Sequence, residues 1–178
     1  YKKALKAYRE KKERLGESNS LYKLGIIAKK RGNFDESEQL FRNSLYIKVE
    51  VGDRIGESAV LSSLVDIAEE KEEPGDLKKL HREIIDIARE IGNWEGVSYH
   101  LRSLILLAEK HNDDDETEVL LKEDLVINRK HGRQYFELSN LRDLTKLAVK
   151  KGNLDEAENI GREVINLEIK CRGHSGLR

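Results

Sequence analysis

The sequence predicts an all-α fold, a right-handed α-α superhelical solenoid of stacked antiparallel helical hairpins. The main observation is a pattern that begins with the stretch from Leu21 to Ile47 and returns at intervals of 40 residues. A fixed period of this size is typical of stacked repeats, because one unit cannot bury its apolar face alone. Three columns of the pattern never change: Leu21, Leu61, Leu101 and Leu141; Leu24, Leu64, Leu104 and Leu144; Ala28, Ala68, Ala108 and Ala148.

Each copy of the pattern contains two amphipathic segments. In the first segment the apolar residues Leu21, Leu24 and Ala28 are three and four positions apart, and in the second Phe41 and Leu45 are four apart. This spacing places the apolar side chains on one face of an α-helix. A short polar break containing glycine separates the two segments, so each copy is predicted to be a helical hairpin.

The period also predicts the domain organisation, a single array with incomplete repeats at both ends. Because the chain has no methionine and neither end of the array is capped, we expect the native protein to be longer in both directions, or its ends to be covered by other molecules. End-to-end self-association through the uncapped ends follows from the same reasoning. The predicted segments are 1–11, the second helix of a truncated repeat; four full repeats at 12–51, 52–91, 92–131 and 132–171; and 172–178, the start of a truncated repeat.

The first copy resembles the tetratricopeptide repeat (TPR). The shared features are a leucine-glycine pair, small residues on both helices, an aromatic residue and a final small-leucine pair, at Leu24, Gly25, Ala28, Ser37, Phe41, Ser44 and Leu45. The usual TPR has about 34 residues and ends in proline. Longer repeats with Gly-Asp-Arg between hairpins, as at Gly52 to Arg54, resemble those of spindle-orientation adaptors, kinesin light chains and prokaryotic sensor proteins. A HEAT-type repeat has a similar length, but the leucine-glycine spacing favours the TPR form.

Bulk composition predicts a cytoplasmic protein without a membrane segment. The 178 residues carry a net charge of −1, and no apolar run is long enough to cross a bilayer. The sequence shows no secretory signal, and the lone Cys171 cannot form an internal disulfide.

Motifs for chemistry are missing from the sequence, so we expect no catalytic residue, no metal and no cofactor. The glycines do not form a phosphate-binding loop, and the acidic run 113–116 fits the first turn of a helix. The sequence leaves open a carboxylate pair assembled across two repeats. No two of the histidines are three or four positions apart, as a helical metal site requires: His81, His100, His111, His131 and His174.

The face opposite the invariant columns is the candidate binding surface. In the TPR family this face of the first helix lines a concave groove that binds extended peptides or helices, so the resemblance implies a protein or peptide partner. Tyr22, Ile26, Tyr99 and Leu106 are aromatic or apolar residues that hairpin packing does not require here. The predicted groove residues are Asn19, Tyr22, Lys23, Ile26, Lys30, Ser62, Asp66, Glu69, Tyr99, Arg102, Leu106, Arg142 and Lys146.

The charges of this face suggest the chemistry of the partner. Arg102 and Arg142 occupy one column of neighbouring repeats, and two adjacent guanidinium groups favour a carboxylate-bearing ligand. Asp66 and Glu69 make the middle of the groove acidic.

Two functional classes therefore remain, a protein-interaction scaffold and a regulatory or self-assembly TPR segment of a larger sensor or ATPase-type protein. Nucleic-acid binding is disfavoured. Residues 1–31 hold eleven Lys or Arg against three Glu, yet the whole chain is near neutral and few aromatic residues lie among these cations.

Overall fold

The computed structural model describes residues 1–71 and 74–175, with side chains described for 1–71 and 76–171. The regular structure in these ranges is helical. In chain order the helices are α1 (Lys2–Glu10), α2 (Arg14–Lys30), α3 (Phe34–Val51), α4 (Arg54–Glu70), α5 (Pro74–Glu90), α6 (Trp94–Lys110), α7 (Asp114–Lys130), α8 (Gln134–Lys150) and α9 (Leu154–Ser175).

The helices follow the sequence period. The first helices of the hairpins, here called A helices, are α2, α4, α6 and α8, and each has 17 residues. The second helices, here called B helices, are α1, α3, α5, α7 and α9. The predicted all-α architecture of helical hairpins is confirmed. Helix α9 continues to Ser175, and the predicted start of a further repeat at 172–178 extends into positions 176–178, which lie outside the described residues.

The junction between the first two full hairpins shows what the Gly-Asp-Arg sequence at 52–54 does. Gly52 ends α3 in the left-handed region, with φ of 71°, where a residue with a side chain would be strained. Asp53 then caps α4, because its carboxylate accepts a hydrogen bond of 2.9 Å from the backbone N–H of Gly56. The Lys48 ammonium also binds Asp53 at 2.6 Å. Lys48 and, second, the Gly56 amide hold the pKa of Asp53 below its usual value.

The chain forms two compact units, unit 1 (residues 1–97) and unit 2 (from Ser98 onward). In both units the invariant columns make the core. Of the twelve leucines and alanines in these columns, eleven are buried and Leu24 is half-buried. The predicted phase of the amphipathic helices is therefore correct.

A fourth column holds the side chains that fill the space inside the first three full hairpins, and in the last hairpin it holds Gly161. Phe41 has no exposed surface in α3, and Leu121 in α7 is 1% exposed. The same position in α5 is taken by His81, which is only 3% exposed. Burial lowers the pKa of His81, because desolvation penalises its charged form.

Within the described part of the chain, no helix is both long and apolar enough to cross a bilayer.

Leu104→Ala is expected to lower the free energy of unfolding by roughly 2–5 kcal/mol, as large-to-small changes at buried leucines do. Arg102→Ala, two residues earlier on the other side of α6, should change it by less than about 1 kcal/mol, because the ion pair lost there is partly exposed to solvent and Asp143 keeps Lys146 as a partner. Urea unfolding followed by circular dichroism measures both values. Equal destabilisation by the two variants would mean that the helix phase is wrong.

Acidification is expected to weaken unit 1 through His81. Since the folded-state pKa of His81 lies below its unfolded value, the unfolded chain binds the proton more readily. The contribution of the buried, neutral His81 to the free energy of unfolding is fully present above pH of about 6.5. It is lost as the pH falls from there towards the pKa of His81 in the folded protein. His81→Leu, which copies Leu121, should reduce the loss of stability between neutral and mildly acidic buffer. His111→Gln, at an exposed position, is the control and should leave that pH dependence unchanged.

Candidate partner-binding surface

The predicted groove residues all lie on A helices, and each is exposed or half-buried. Helix α2 carries five of them and α4 carries three in unit 1, while α6 carries three and α8 two in unit 2. Within each unit, the surface formed by these residues is called the A face below. The surface of the same unit formed by the exposed sides of the B helices is called the B face.

Tyr22 is the groove residue most involved in packing. Its ring lies 5.6 Å from that of Phe41 between centroids, at an angle of 43°. Its hydroxyl is 3.2 Å from the hydroxyl of Ser63 on α4, where either group can donate the hydrogen bond. The expectation that packing does not require Tyr22 was therefore wrong, because this side chain joins α2, α3 and α4.

Gly25 brings α2 and α3 close together beside Tyr22. A Cβ atom on Gly25 would lie 2.6 Å from Cε1 of Phe41, far inside van der Waals contact. The missing side chain thus gives the Phe41 ring its place against the backbone of α2. Ser37 adds to this approach by donating a 2.9 Å hydrogen bond to the carbonyl of Gly25.

A cavity of about 460 Å³ opens on the A face of unit 1, between α2, α4 and the start of α3. Its walls are aromatic and aliphatic, with Tyr22, Ile26, Phe34 and Phe41 among the lining residues. The sequence analysis missed Phe34, which is the first residue of α3 and stands directly after the polar break. An aromatic residue at that junction was the signal that could have been used.

Charged residues surround the mouth of this cavity. Lys29 on α2 binds Asp66 on α4 at 2.7 Å. Among the residues that the structure describes, Lys30 and Glu70 also line the cavity but have no ion-pair partner. The A face of unit 1 therefore has a basic side on α2 and an acidic side on α4, both partly available to a ligand.

The two predicted arginines of unit 2 are engaged within the protein. Arg102 binds Asp143 at 2.9 Å, and Arg142 binds Glu168 at 2.6 Å. Lys146 also binds Asp143, at 3.0 Å. Each guanidinium group already has a carboxylate partner, so the geometry gives no support to the expected ligand-carboxylate site at Arg102 and Arg142.

Unit 2 has its own cavity on the A face, of about 390 Å³. Seven of its lining positions are those of the unit 1 cavity moved by 80 residues along the chain. The chemistry differs, because charged groups replace most of the apolar and aromatic ones. In unit 1 these positions are Tyr22, Lys29, Phe34, Phe41, Ser63, Asp66 and Glu70; in unit 2 they are Arg102, Glu109, Asp114, Leu121, Asp143, Lys146 and Lys150.

Two large apolar side chains of α6 remain exposed near this second cavity. Tyr99 is 68% exposed and Leu106 is 54% exposed. They are seven residues apart and therefore lie on one side of the helix. The ring of Tyr99 packs edge-on against His100, with centroids 5.0 Å apart.

The B face carries networks of ion pairs that the sequence analysis did not anticipate. In unit 1, Glu38 accepts both Lys71 at 2.9 Å and Arg42 at 2.8 Å. The 80-residue equivalent in unit 2 is Glu118, which binds Lys151 at 2.8 Å and Lys122. Lys71 and, second, Arg42 hold the pKa of Glu38 below its usual value, and Lys122 and Lys151 do the same for Glu118.

The signal for these networks was present in the sequence. One column of the B helices is basic in all five copies, and an acidic residue follows 34 positions later in the next B helix. Arg42 reaches Asp76 in this way at 3.5 Å, and Lys122 reaches Glu156 at 3.4 Å. The basic column consists of Lys2, Arg42, Arg82, Lys122 and Arg162.

The described side chains give little support for a metal-binding site or a reactive thiol. Within residues 1–71 and 76–171, no group of three or more His, Cys, Asp or Glu residues is placed to hold one metal ion. Cys171 is half-buried, and its Sγ lies 3.5 Å from Oε1 of Gln134.

Comparison with known proteins identifies the type of fold. No protein-family model and no curated protein sequence matches the chain. A solved structure of a Signal Transduction ATPase with Numerous Domains (STAND) protein with a tetratricopeptide repeat sensor, from Pyrococcus horikoshii, is similar with a TM-score of 0.64 and 14% identity. The match covers 91% of this chain and 25% of that one.

Two further structures agree. A putative kinesin light chain with nearly identical TPR-like repeats from Podosopora anserina matches with a TM-score of 0.60 at 15% identity, covering 88% of this chain and 77% of that one. BtubC from P. vanneervenii matches with a TM-score of 0.60 at 15% identity, covering 89% and 65%. The fold is TPR-like. The chain spans 65% of BtubC and only a quarter of the STAND protein, so these likenesses describe its fold and not a whole protein.

In this TPR-like fold, the packing of neighbouring hairpins forms the A face of each unit. The A helices of successive hairpins lie side by side within each unit, as the contact of Tyr22 with Ser63 in unit 1 and that of Arg102 with Asp143 in unit 2 show. Side chains about 40 residues apart in the sequence therefore come together. In each unit, two neighbouring repeats form a cavity that three helices line.

Gly25→Ala is expected to destabilise the protein by about 1–3 kcal/mol, as overpacking a full core does, because the buried Phe41 ring has to move. Gly161→Ala is the matched control within α9. No atom lies within 4 Å of a Cβ built there, so alanine should stabilise the helix by about 0.5–1 kcal/mol. Thermal unfolding compares the two variants. Equal effects of the two substitutions would contradict the close approach of α2 and α3.

Proposed function

We propose that this chain is a protein-interaction scaffold that binds a peptide or helix of a partner protein along the A face. The observation that carries the proposal is the cavity that opens between neighbouring A helices on the A face of each unit, beside charged and apolar groups that remain available to a ligand. On the B face, ion pairs within the protein engage members of the repeated basic column such as Arg42 and Lys122, and apolar side chains such as Val119 and Val126 are exposed as well.

The available groups on the A face are of two kinds. In unit 1, Lys23, Lys30, Glu69 and Glu70 have no ion-pair partner among the described residues. In unit 2, the exposed Tyr99 and Leu106 offer apolar contact area. Exposed apolar side chains bordered by charges are typical of protein recognition surfaces. The other predicted groove residues, Asn19, Ser62, Arg142 and Lys146, are proposed as rim contacts of the same surface.

The proposal includes finer points that the fold supports. The repeats are of the 40-residue variety of TPR, since successive A helices begin at Arg14, Arg54, Trp94 and Gln134. The segment is proposed to act by binding and without catalysis; polar residues such as Asp53 and Glu38 serve as a helix cap and as an ion-pair partner. A cytoplasmic location agrees with the lone, half-buried Cys171.

A second function is a regulatory or self-assembly segment of a larger sensor or ATPase-type protein. The likeness to a STAND protein with a TPR sensor favours it. The exposed side of α9 adds a contact for end-to-end association, because Ile165 is 58% exposed. The equivalent residues Ile85 and Leu125 are buried in their repeats. A nucleotide-binding motif in the parent open reading frame would favour this second function over the first.

A matched pair of double variants tests the scaffold function. Tyr99→Asp with Leu106→Asp alters the A face of α6. Val119→Asp with Val126→Asp alters the B face of α7, at two positions that are also seven residues apart and are 64% and 65% exposed. The A-face variant should lose binding to partner proteins recovered with the wild-type chain by about tenfold or more, since apolar contacts at the centre of an interface dominate affinity. The B-face variant should retain binding.

Thermal unfolding and circular dichroism must show that both variants remain folded. Retention of every partner by the A-face variant, or loss of partners by the B-face variant alone, would contradict binding on the A face. Arg102→Glu with Arg142→Glu is less informative as a test, because it places like charges beside Asp143 and Glu168.

A further inference from the structure

The unit 1 cavity is closed at one end and charged at the other. Tyr22, Ile26 and Lys30 are spaced by four residues and form one stripe along α2, and the stripe of α4 opposite contains Ser63 and Glu70. The hydrogen bond between Tyr22 and Ser63 joins the two stripes at one end. Lys30 and Glu70 stand at the other end, where the stripes are open to solvent.

The cavity wall is held in place before any ligand arrives. Phe41 is fully buried and packs against both Gly25 and the Tyr22 ring, so the aromatic wall is fixed by the core. The Lys29 to Asp66 ion pair connects α2 and α4 along the side of the cavity. A preformed apolar wall loses little conformational freedom on binding, which favours affinity.

Hairpin packing does not require an apolar cavity at this place. The equivalent cavity of unit 2 has Arg102 in place of Tyr22, Asp114 in place of Phe34 and Asp143 in place of Ser63. Those charges pair with one another or with lysines of α8, through Arg102 to Asp143 and Lys150 to Asp114. The same position in the fold therefore tolerates a polar surface. Tyr22 and Phe41 are explained by their packing, but the apolar side chains of Ile26 and Phe34 beside them need another explanation.

We propose that the unit 1 cavity binds one large apolar side chain of a partner segment that carries an acidic residue on one side of it and a basic residue on the other. The apolar side chain lies against Ile26 and the aromatic wall. The acidic neighbour pairs with Lys30 and the basic neighbour pairs with Glu70. This inference rests on the proposed scaffold function, and it names the partner sequence that unit 1 selects.

Charge complementarity makes this partner more suitable than a uniformly charged one. Asp66 is already neutralised by Lys29, which leaves one cation and one anion at the mouth of the cavity. A polyanion such as nucleic acid would meet Lys30 but would be repelled by Glu70 and the neighbouring Glu69. A segment with both charges satisfies both sides and leaves the apolar side chain to fill the space between them.

Selection from a library of random peptides displayed on phage, with the whole chain as immobilised target, tests this inference. Enriched peptides should share a large apolar residue flanked by an acidic and a basic residue. Their affinity, measured by fluorescence anisotropy with the synthesised peptides, should fall by about tenfold or more for Ile26→Asp, which places a charge against the apolar wall. Val119→Asp on the B face of α7, at a position that is 64% exposed, is the control and should bind these peptides normally.

A second variant keeps the test valid if Ile26→Asp does not fold. Lys30→Glu combined with Glu70→Lys reverses both charges at exposed positions. A repeat selection on this double variant should enrich peptides whose flanking charges have changed sides around the same apolar residue. A purely structural role for the two residues would not change the selected charges.

The possible failures are distinguishable. Enriched peptides whose binding is insensitive to Ile26→Asp and to the charge reversal, but is lost on Tyr99→Asp with Leu106→Asp, would overturn the inference and leave the scaffold function intact. A selection that enriches no peptide, or one whose peptides bind every A-face variant equally, would overturn both.

Discussion

The structure depends on the burial of one apolar stripe between each hairpin and its neighbours. A helical hairpin of this size cannot remove its leucines and alanines from water by itself, so every repeat needs the next one. This requirement explains why the leucine and alanine columns do not change while almost every other position does. It also determines which face of each A helix stays exposed and available for binding.

The fold could be predicted from the sequence because it rests on this periodic burial. Leu64, Leu104 and Leu144 repeat at fixed spacing, and their position on the helix follows from the period alone. At the leucine positions the local helical preferences and the burial of apolar side chains favour the same structure, so the sequence was sufficient to predict it. In the sequence analysis the Gly-Asp-Arg junction served only as a resemblance, and the structure adds that the left-handed turn there suits Gly52 and that Asp53 caps the following helix.

The candidate site was less predictable, because it depends on pairs of side chains from different helices. Arg102 and Arg142 share a column, but Asp143 and Glu168 lie close enough to bind them, and a one-dimensional pattern does not reveal that. The helical spacing placed Tyr22 on the face available to a ligand, but its side chain contacts Phe41 and Ser63. Asn140 donates a buried hydrogen bond of 2.9 Å to Asp124 in unit 2, and the column of Asp124 holds serine, isoleucine or valine in the other full repeats. Such polar exceptions are particular to one repeat, so the period does not predict them.

The two cavities, equivalent in position and different in chemistry, bear on how this kind of protein acquires new partners. Apart from Tyr22, Phe41 and Leu121, which pack within the hairpins, the residues that line them are separate from those that maintain the fold. Substitutions at these few positions can therefore alter what one hairpin pair recognises without disturbing the neighbouring pairs. Evolution, or an engineer, can in this way change the specificity of the array one repeat pair at a time.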